Sequence, residues 1–168
     1  MKTANFKQRR LIMIHYSRGA GDVMQVAIKK LKPSAVVPAY GSLYSAGADL
    51  YACVESGIDI LPGETVFVPT GVALEIPIGF AGFVFARSGL SCKRGLAPAN
   101  KVGVIDSDYR GEVMVALHNH SSVPQTVAAG ERIAQMVIMP YIKAEFVEQE
   151  NLSETVRGEG GFGSTGTK

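Results

Sequence analysis

The sequence predicts a single all-β domain, a sandwich or barrel. Three observations carry this: short apolar runs recur along the chain, turn residues separate them, and no long helical period competes. Run 24–28 opens the series. Pro62-Gly63 turns the chain into run 65–68, which is followed closely by 71–76, and Pro77-Ile-Gly79 turns 71–76 into 80–85. Runs 102–105 and 113–117 flank Tyr109-Arg-Gly111, so 103–111 reads as a β-hairpin with its tip near Asp106 and Tyr109. Ser121-Ser-Val-Pro124 closes run 113–117, and Ala129-Gly-Glu131 precedes run 133–139. After Glu145 the pattern dissolves into a polar stretch and a Gly-rich end, the composition of a mobile arm rather than a core. No internal repeat is visible.

The 168 residues, 46% of them hydrophobic, fit one domain with a substantial core. Seventeen Lys+Arg against 15 Asp+Glu leave a formal charge of +2. That balance gives no ground for nucleic-acid or membrane binding, so attraction for an anion must be local. Cys53 and Cys92 offer neither a disulfide framework nor a zinc motif, and reduced thiols in a cytoplasmic protein are expected. Lys2, Lys7, Arg9 and Arg10 precede Leu11-Ile-Met-Ile14, a run too short for a signal-peptide core or a membrane span. Residues 1–22 are expected to be a poorly ordered extension, 23–147 the β domain and 148–168 the arm.

Five segments carry more chemistry than packing asks for. The densest is Gly103-Val-Ile-Asp-Ser-Asp-Tyr-Arg-Gly111, where a carboxylate beside an aromatic face suits a general base next to a stacking surface. Asp and Gly are also ordinary turn residues, and the residues alone do not decide between Asp106 and Asp108 as the base. In Ala86-Arg-Ser-Gly-Leu90, Arg87 offers a permanently charged fork, Ser88 a hydroxyl, and Gly89 close access to backbone amides, together an anion site. The others are Ala46-Gly-Ala-Asp-Leu50, Gly130-Glu-Arg-Ile-Ala-Gln135 and Arg157-Gly-Glu-Gly-Gly-Phe-Gly-Ser-Thr-Gly166. The last is not expected to be a phosphate-binding loop of the GK[ST] type, since no GK[ST] step occurs in it. His118 and His120 fall on one strand face, but no third ligand accompanies them as a metal site would require.

In this order and spacing, the five segments resemble the motifs of the trimeric dUTPases, which hydrolyse dUTP to dUMP and pyrophosphate. The resemblance runs from about Met24 to the C-terminus. It implies a jelly-roll-like fold with a short helix near residues 88–94, a homotrimer with active sites at subunit interfaces, and Mg²⁺ as cofactor. It places the water-activating carboxylate on Asp106, with Asp108 structural. Tyr109 is implied under the deoxyribose, where it leaves no room for a ribonucleotide's hydroxyl. Uracil is implied to pair with main-chain groups of Val104, Ile105 and Asp106 and with the Asn100 side chain, with Met114 lining the pocket.

The phosphates fall to Arg87, Ser88, Gly89 and Gln135, with Arg132 bracing the site or pairing with a motif carboxylate. Arg157 is implied on the γ-phosphate, Phe162 stacked on uracil, and Gly163, Ser164 and Thr165 around the phosphates as a lid that expels water. No direct protein ligand to Mg²⁺ is expected: Asp49 and Gln135 would act through its waters. Read without the resemblance, Asp49 is a strand or turn carboxylate paired to an arginine. The implied role is to keep uracil out of DNA and supply dUMP for thymidylate synthesis. A dCTP deaminase shares the core but needs a carboxylate on the strand after the hairpin, and 113–118 carries none. A dUTP-binding regulator without catalysis would be marked by loss of Asp106, Tyr109, Arg157 or Phe162, and all are present.

Overall fold

The computed structural model describes residues 23–161. Twelve strands and one helix run in the order β1 (Ala27–Lys30), β2 (Ala39–Tyr40), β3 (Ala48–Tyr51), β4 (Ile58–Ile60), β5 (Thr65–Pro69), β6 (Val72–Glu75), β7 (Phe80–Phe85), α1 (Ser88–Arg94), β8 (Leu96–Pro98), β9 (Gly103–Ile105), β10 (Met114–Asn119), β11 (Gln125–Val127) and β12 (Arg132–Pro140). They form four sheets, β1-β6, β5-β10-β8, β11-β4 and β2-β3-β12-β7-β9, with every pairing antiparallel. This is the jelly-roll β fold, and the short helix lies where the family resemblance placed it. From Tyr141 to Gly161 there is no helix or strand, and nearly every residue is exposed.

One apolar cluster joins the sheets, because strand alternation sends every second side chain inward. In β10, Val115, Leu117 and Asn119 point in, while Met114, Ala116 and His118 alternate outward. Leu50, Ile60, Val68, Leu74, Val84, Leu96, Val127 and Ile133 meet them from the other strands. β12 is the spine of the largest sheet, pairing β3 on one side and β7 on the other, with a register irregularity between Arg132 and Ala134. The turn before it needs the left-handed backbone of Gly130, with φ of 71°.

Two expectations are corrected. Alternating burial does begin near Met24, but the ladder of β1 starts only at Ala27, opposite Glu75 of β6. Residues 103–111 are not the tip of a two-stranded hairpin: β9 pairs with β7, whereas β10 pairs with β5 and β8 in another sheet. Local anchoring pulls the chain across. Gly71 donates its N–H to Glu112 Oε1 at 2.7 Å, Val113 donates to Val72 O at 2.9 Å, and Thr70 Oγ1 donates to Val113 O at 2.5 Å.

Asn119 is fully buried and fully used. Its Nδ2 donates to the carbonyls of Ile60 (2.9 Å) and Val123 (2.8 Å), and its Oδ1 accepts from Ser121 N (2.9 Å) and Oγ (2.7 Å). It ties the end of β4 to the turn after β10. Asn119→Ala removes the Nδ2 donor to the Ile60 carbonyl and the acceptor of the Ser121 N–H, while the Val123 carbonyl keeps Ser121 Oγ at 2.9 Å, and is expected to cost about 2–3 kcal/mol, read as a lowered midpoint in urea unfolding.

Candidate active site

The site begins with one carboxylate. Asp49 on β3 is 8% exposed and holds two guanidinium groups: Arg87 Nε donates to Oδ1 at 2.7 Å and Arg132 donates to Oδ2 at 3.2 Å. Strand register brings them together, since Asp49 and Phe85 both lie opposite Gln135 across the two ladders of β12. The paired-carboxylate reading of Asp49 and the carboxylate-pairing role of Arg132 are thus both found. Arg87 also donates to the Arg132 carbonyl at 3.4 Å and sits in extended backbone just before α1. The helix is held at its other end: Gly95 terminates it at φ 68°, and Arg94 donates to Gln125 Oε1 (3.0 Å), Glu131 and the Thr126 carbonyl.

Around this ion group opens a cavity of about 420 Å³, whose lining includes Ser45, Gly47, Asp49, Arg87, Ser88, Gly89, Arg132 and Gln135. Gln135 is oriented by its Nε2, which donates to the Ala86 carbonyl at 2.9 Å. Two glycines here serve different needs. A Cβ on Gly47 would lie 3.2 Å from Gln135 Cβ and 2.5 Å from its Oε1, so Gly47 makes room for that side chain. A Cβ on Gly89 would meet nothing within 4 Å, so the protein's own packing does not ask for glycine there, and bare backbone faces the cavity mouth.

A smaller cleft of about 100 Å³ is lined by Val84, Asn100, Gly103, Val104, Ile105 and Met114, among others. It opens between β9 and β10 because they join different sheets, so no ladder closes the gap. Asp106 and Tyr109 follow it in an exposed turn closed by Tyr109 N–H to the Asp106 carbonyl at 3.2 Å, and they line neither cavity. Arg157 also lies apart, its Nε donating to the Gly160 carbonyl at 2.7 Å. Phe162, Gly163, Ser164 and Thr165 lie outside the described residues. The predicted residues that line a cavity therefore fall into two groups, one lining the cavity around Arg87 and one lining the cleft at Asn100 and Met114, with no lining residue in common.

Sequence reading missed Gly41 and Ser45, which wall the anion cavity from the loop before β3. A readable signal was present in Ser42 and Ser45, three apart, where Ser42 N–H donates to Ser45 Oγ at 2.9 Å. His118 and His120 stand with ring centroids 4.3 Å apart, and His118 Nδ1 bonds Thr65 Oγ1 at 2.9 Å. Lost hydration, then His118 and Lys101, lower the pKa of His120. Among the described residues no group of three His, Cys, Asp or Glu could hold a metal directly. A phosphate-borne Mg²⁺ fits this donor set, since it keeps its waters: Gln135 Oε1 and the lone pairs of Asp49 left by the two arginines can accept from them.

An all-β jelly roll with a cationic, glycine-walled anion cavity and a separate narrow cleft defines a class of protein that handles anionic nucleotide-sized ligands. The chain belongs to the dUTPase family, whose model matches residues 34–166. It is 50% identical over 144 residues to the deoxyuridine 5'-triphosphate nucleotidohydrolase of Desulfitobacterium hafniense, spanning 85% of this chain and 95% of that protein. The same-named protein of Acinetobacter baumannii is 46% identical over 148 residues, 85% of this chain and 99% of its own.

Among solved structures, the dUTPase of Staphylococcus bacteriophage 80alpha with dUpNHpp superposes with a TM-score of 0.78 at 28% identity, covering 86% of this chain and 99% of that one. A dUTPase from phage phi11 of S. aureus, described with a structural Mg(II) ion, shares the fold at TM-score 0.70 and 22% identity, over 78% of this chain and 100% of its own. No helix among the described residues is long and apolar enough to cross a membrane.

Asp49→Ala strands Arg87 and Arg132 beside each other. Arg132 is half exposed, so solvent screens part of the loss, and a destabilisation of about 1–2 kcal/mol in urea unfolding is expected.

Proposed function

We propose that this chain is a Mg²⁺-dependent dUTP diphosphatase, a homotrimer hydrolysing dUTP to dUMP and pyrophosphate in sites completed between subunits. The observation that carries the reading is the division of the predicted site: an anion cavity around Arg87 and a base-sized cleft at Asn100 and Met114 that do not meet on one chain. A second copy would supply the missing half.

In that assembly the triphosphate lies against the Arg87 fork, the Ser88 hydroxyl and the bare backbone at Gly89, with Gln135 beside it. Uracil enters the cleft between β9 and β10, where the missing ladder leaves the outer edge of β9 open for main-chain pairing along Val104, Ile105 and Asp106, with the Asn100 amide and Met114 at its walls. Asp106 takes a proton from the water that attacks the α-phosphorus, and pyrophosphate leaves as the new P–O bond forms. Tyr109 packs on the deoxyribose. Mg²⁺, when bound, neutralises charge across the phosphates, and Asp49 and Gln135 would hold its waters. Residues 148–168 form the arm: Arg157 exchanges the Gly160 carbonyl for the γ-phosphate, Phe162 covers uracil, and Gly163, Ser164 and Thr165 enclose the phosphates.

We place the reaction in the cytoplasm, where free thiols such as Cys53 and Cys92 persist, with removal of dUTP from the DNA precursor pool and supply of dUMP as its role. Neither nucleic acid nor membrane is a partner in this reading. Its test is pyrophosphate release with Mg²⁺ from dUTP, dCTP, dTTP and UTP. Release from dUTP alone is the expected result; binding of dUTP without turnover would replace the enzyme by a regulator, and ammonia from dCTP by a deaminase.

Two variants check the assignment of parts. Asp106→Asn is expected to bind dUTP normally and lose about 10²-fold or more in kcat, and near-normal turnover would move the base elsewhere. Truncation before Arg157 is expected to leave the circular dichroism spectrum and oligomer intact while crippling turnover; an unchanged rate would remove the lid.

A further inference from the structure

We propose that Gly111 is a specificity-determining residue: its missing side chain is what lets the Tyr109 ring lie back against its own chain, in the place from which it reads the sugar. The inference rests on the dUTP reading above and deepens it. A Cβ built on Gly111 would sit 2.6 Å from Tyr109 Cζ and 2.9 Å from its Cε2, and nearer still to the hydroxyl oxygen. Unstrained carbon contacts lie at about 3.5–4.0 Å, so ring and methyl cannot share this space. The three nearest atoms to that Cβ all belong to Tyr109. The backbone does not ask for glycine either, since Gly111 is absent from the residues with positive φ. The need for glycine at this position therefore traces to the ring.

The tyrosine is tied through its ring hydroxyl and through its backbone. Its hydroxyl donates to the Glu112 carbonyl at 3.0 Å, and Glu112 is fastened to the β5–β6 turn through the Gly71 N–H. At the other end, the Tyr109 N–H closes the turn onto the Asp106 carbonyl, and Arg110 Nη1 donates to the carbonyls of Ser107 (2.7 Å) and Tyr109 (3.0 Å). Arg110 reaches Glu75 of β6 at 3.5 Å. A turn so held presents a preset ring, and a preset ring can exclude a 2′-hydroxyl by shape. A methyl at position 111 would push the ring outward and off the Glu112 carbonyl without removing it.

The test compares full-length wild type, Gly111→Ala, Tyr109→Ala and the double variant in the presence of Mg²⁺. Affinities for dUpNHpp and its ribonucleotide counterpart UpNHpp are read by calorimetry, and the Tyr109 ring signal by ¹³C-tyrosine NMR of the ligand-free protein. Gly111→Ala is expected to shift the ring signal and lower the deoxy-over-ribo preference about tenfold. The double variant should match Tyr109→Ala, because Gly111 acts only through the ring. Unfolding of Gly111→Ala that Tyr109→Ala reverses would carry the same meaning. An unmoved ring signal, a wild-type preference in Gly111→Ala, or a further loss on the Tyr109→Ala background would overturn the inference. Turnover of dUTP by the same wild-type preparation reports separately on the hydrolysis reading, since neither the ring signal nor the affinities require catalysis.

Discussion

The double ion pair of Asp49 is the constraint on which the rest of the site depends. One carboxylate, nearly buried, aligns Arg87 at the entry to α1 and Arg132 at the start of β12, and so ties three segments far apart in sequence to one point. Neither arginine could be left unpaired beside the other without mutual repulsion, and neither is buried enough to be lost to ligands: their side chains are 25% and 53% exposed. A carboxylate that organises two cations while leaving their outer faces wet yields a cavity that is positive and already shaped. Arg94 does the corresponding work at the far end of α1, fixing the helix to Glu131, the neighbour of Arg132.

Order falls away from that point outward. The anion half stands on ladders and ion pairs. The base half is a gap between two sheets, kept open because Glu112 and Val113 are bonded to the β5–β6 turn rather than to β9. The turn with Asp106 and Tyr109 is exposed but anchored at both ends, and the stretch after Pro140 has neither ladder nor core. This gradient leaves the charge of the cavity fixed before any anion arrives.

Much of this was legible in residues. The apolar runs marked β5, β6, β7, β9, β10 and β12, and the Gly and Pro turns set most of their limits. Strands β2, β4, β8 and β11 have only two or three residues each, too few to show a period, and they exist because neighbours supply their bonds. The hairpin reading at 103–111 failed for a related reason: two apolar runs about a turn look alike whether they pair with each other or with separate sheets, and the anchors at Glu112 and Val113 decide. At the site, Asp49, Arg87 and Gln135 were found through their motifs. Ser45 was not: its spacing from Ser42 marks a local turn, but that the turn walls a cavity depends on how the loop before β3 folds back against β12 and α1.

The central claim is that two halves separate on one chain become one site between chains, and subunit complementation tests it most directly. Asp106→Asn and Arg87→Ala proteins, each inactive alone, are unfolded together, refolded and assayed for pyrophosphate release from dUTP. The account predicts that activity returns, in roughly a quarter of sites at equal mixing, since one of the four subunit pairings at each interface unites an intact Asp106 with an intact Arg87. A mixture as silent as its parents, with mixed oligomers shown to have formed, would contradict it and return the whole site to a single chain.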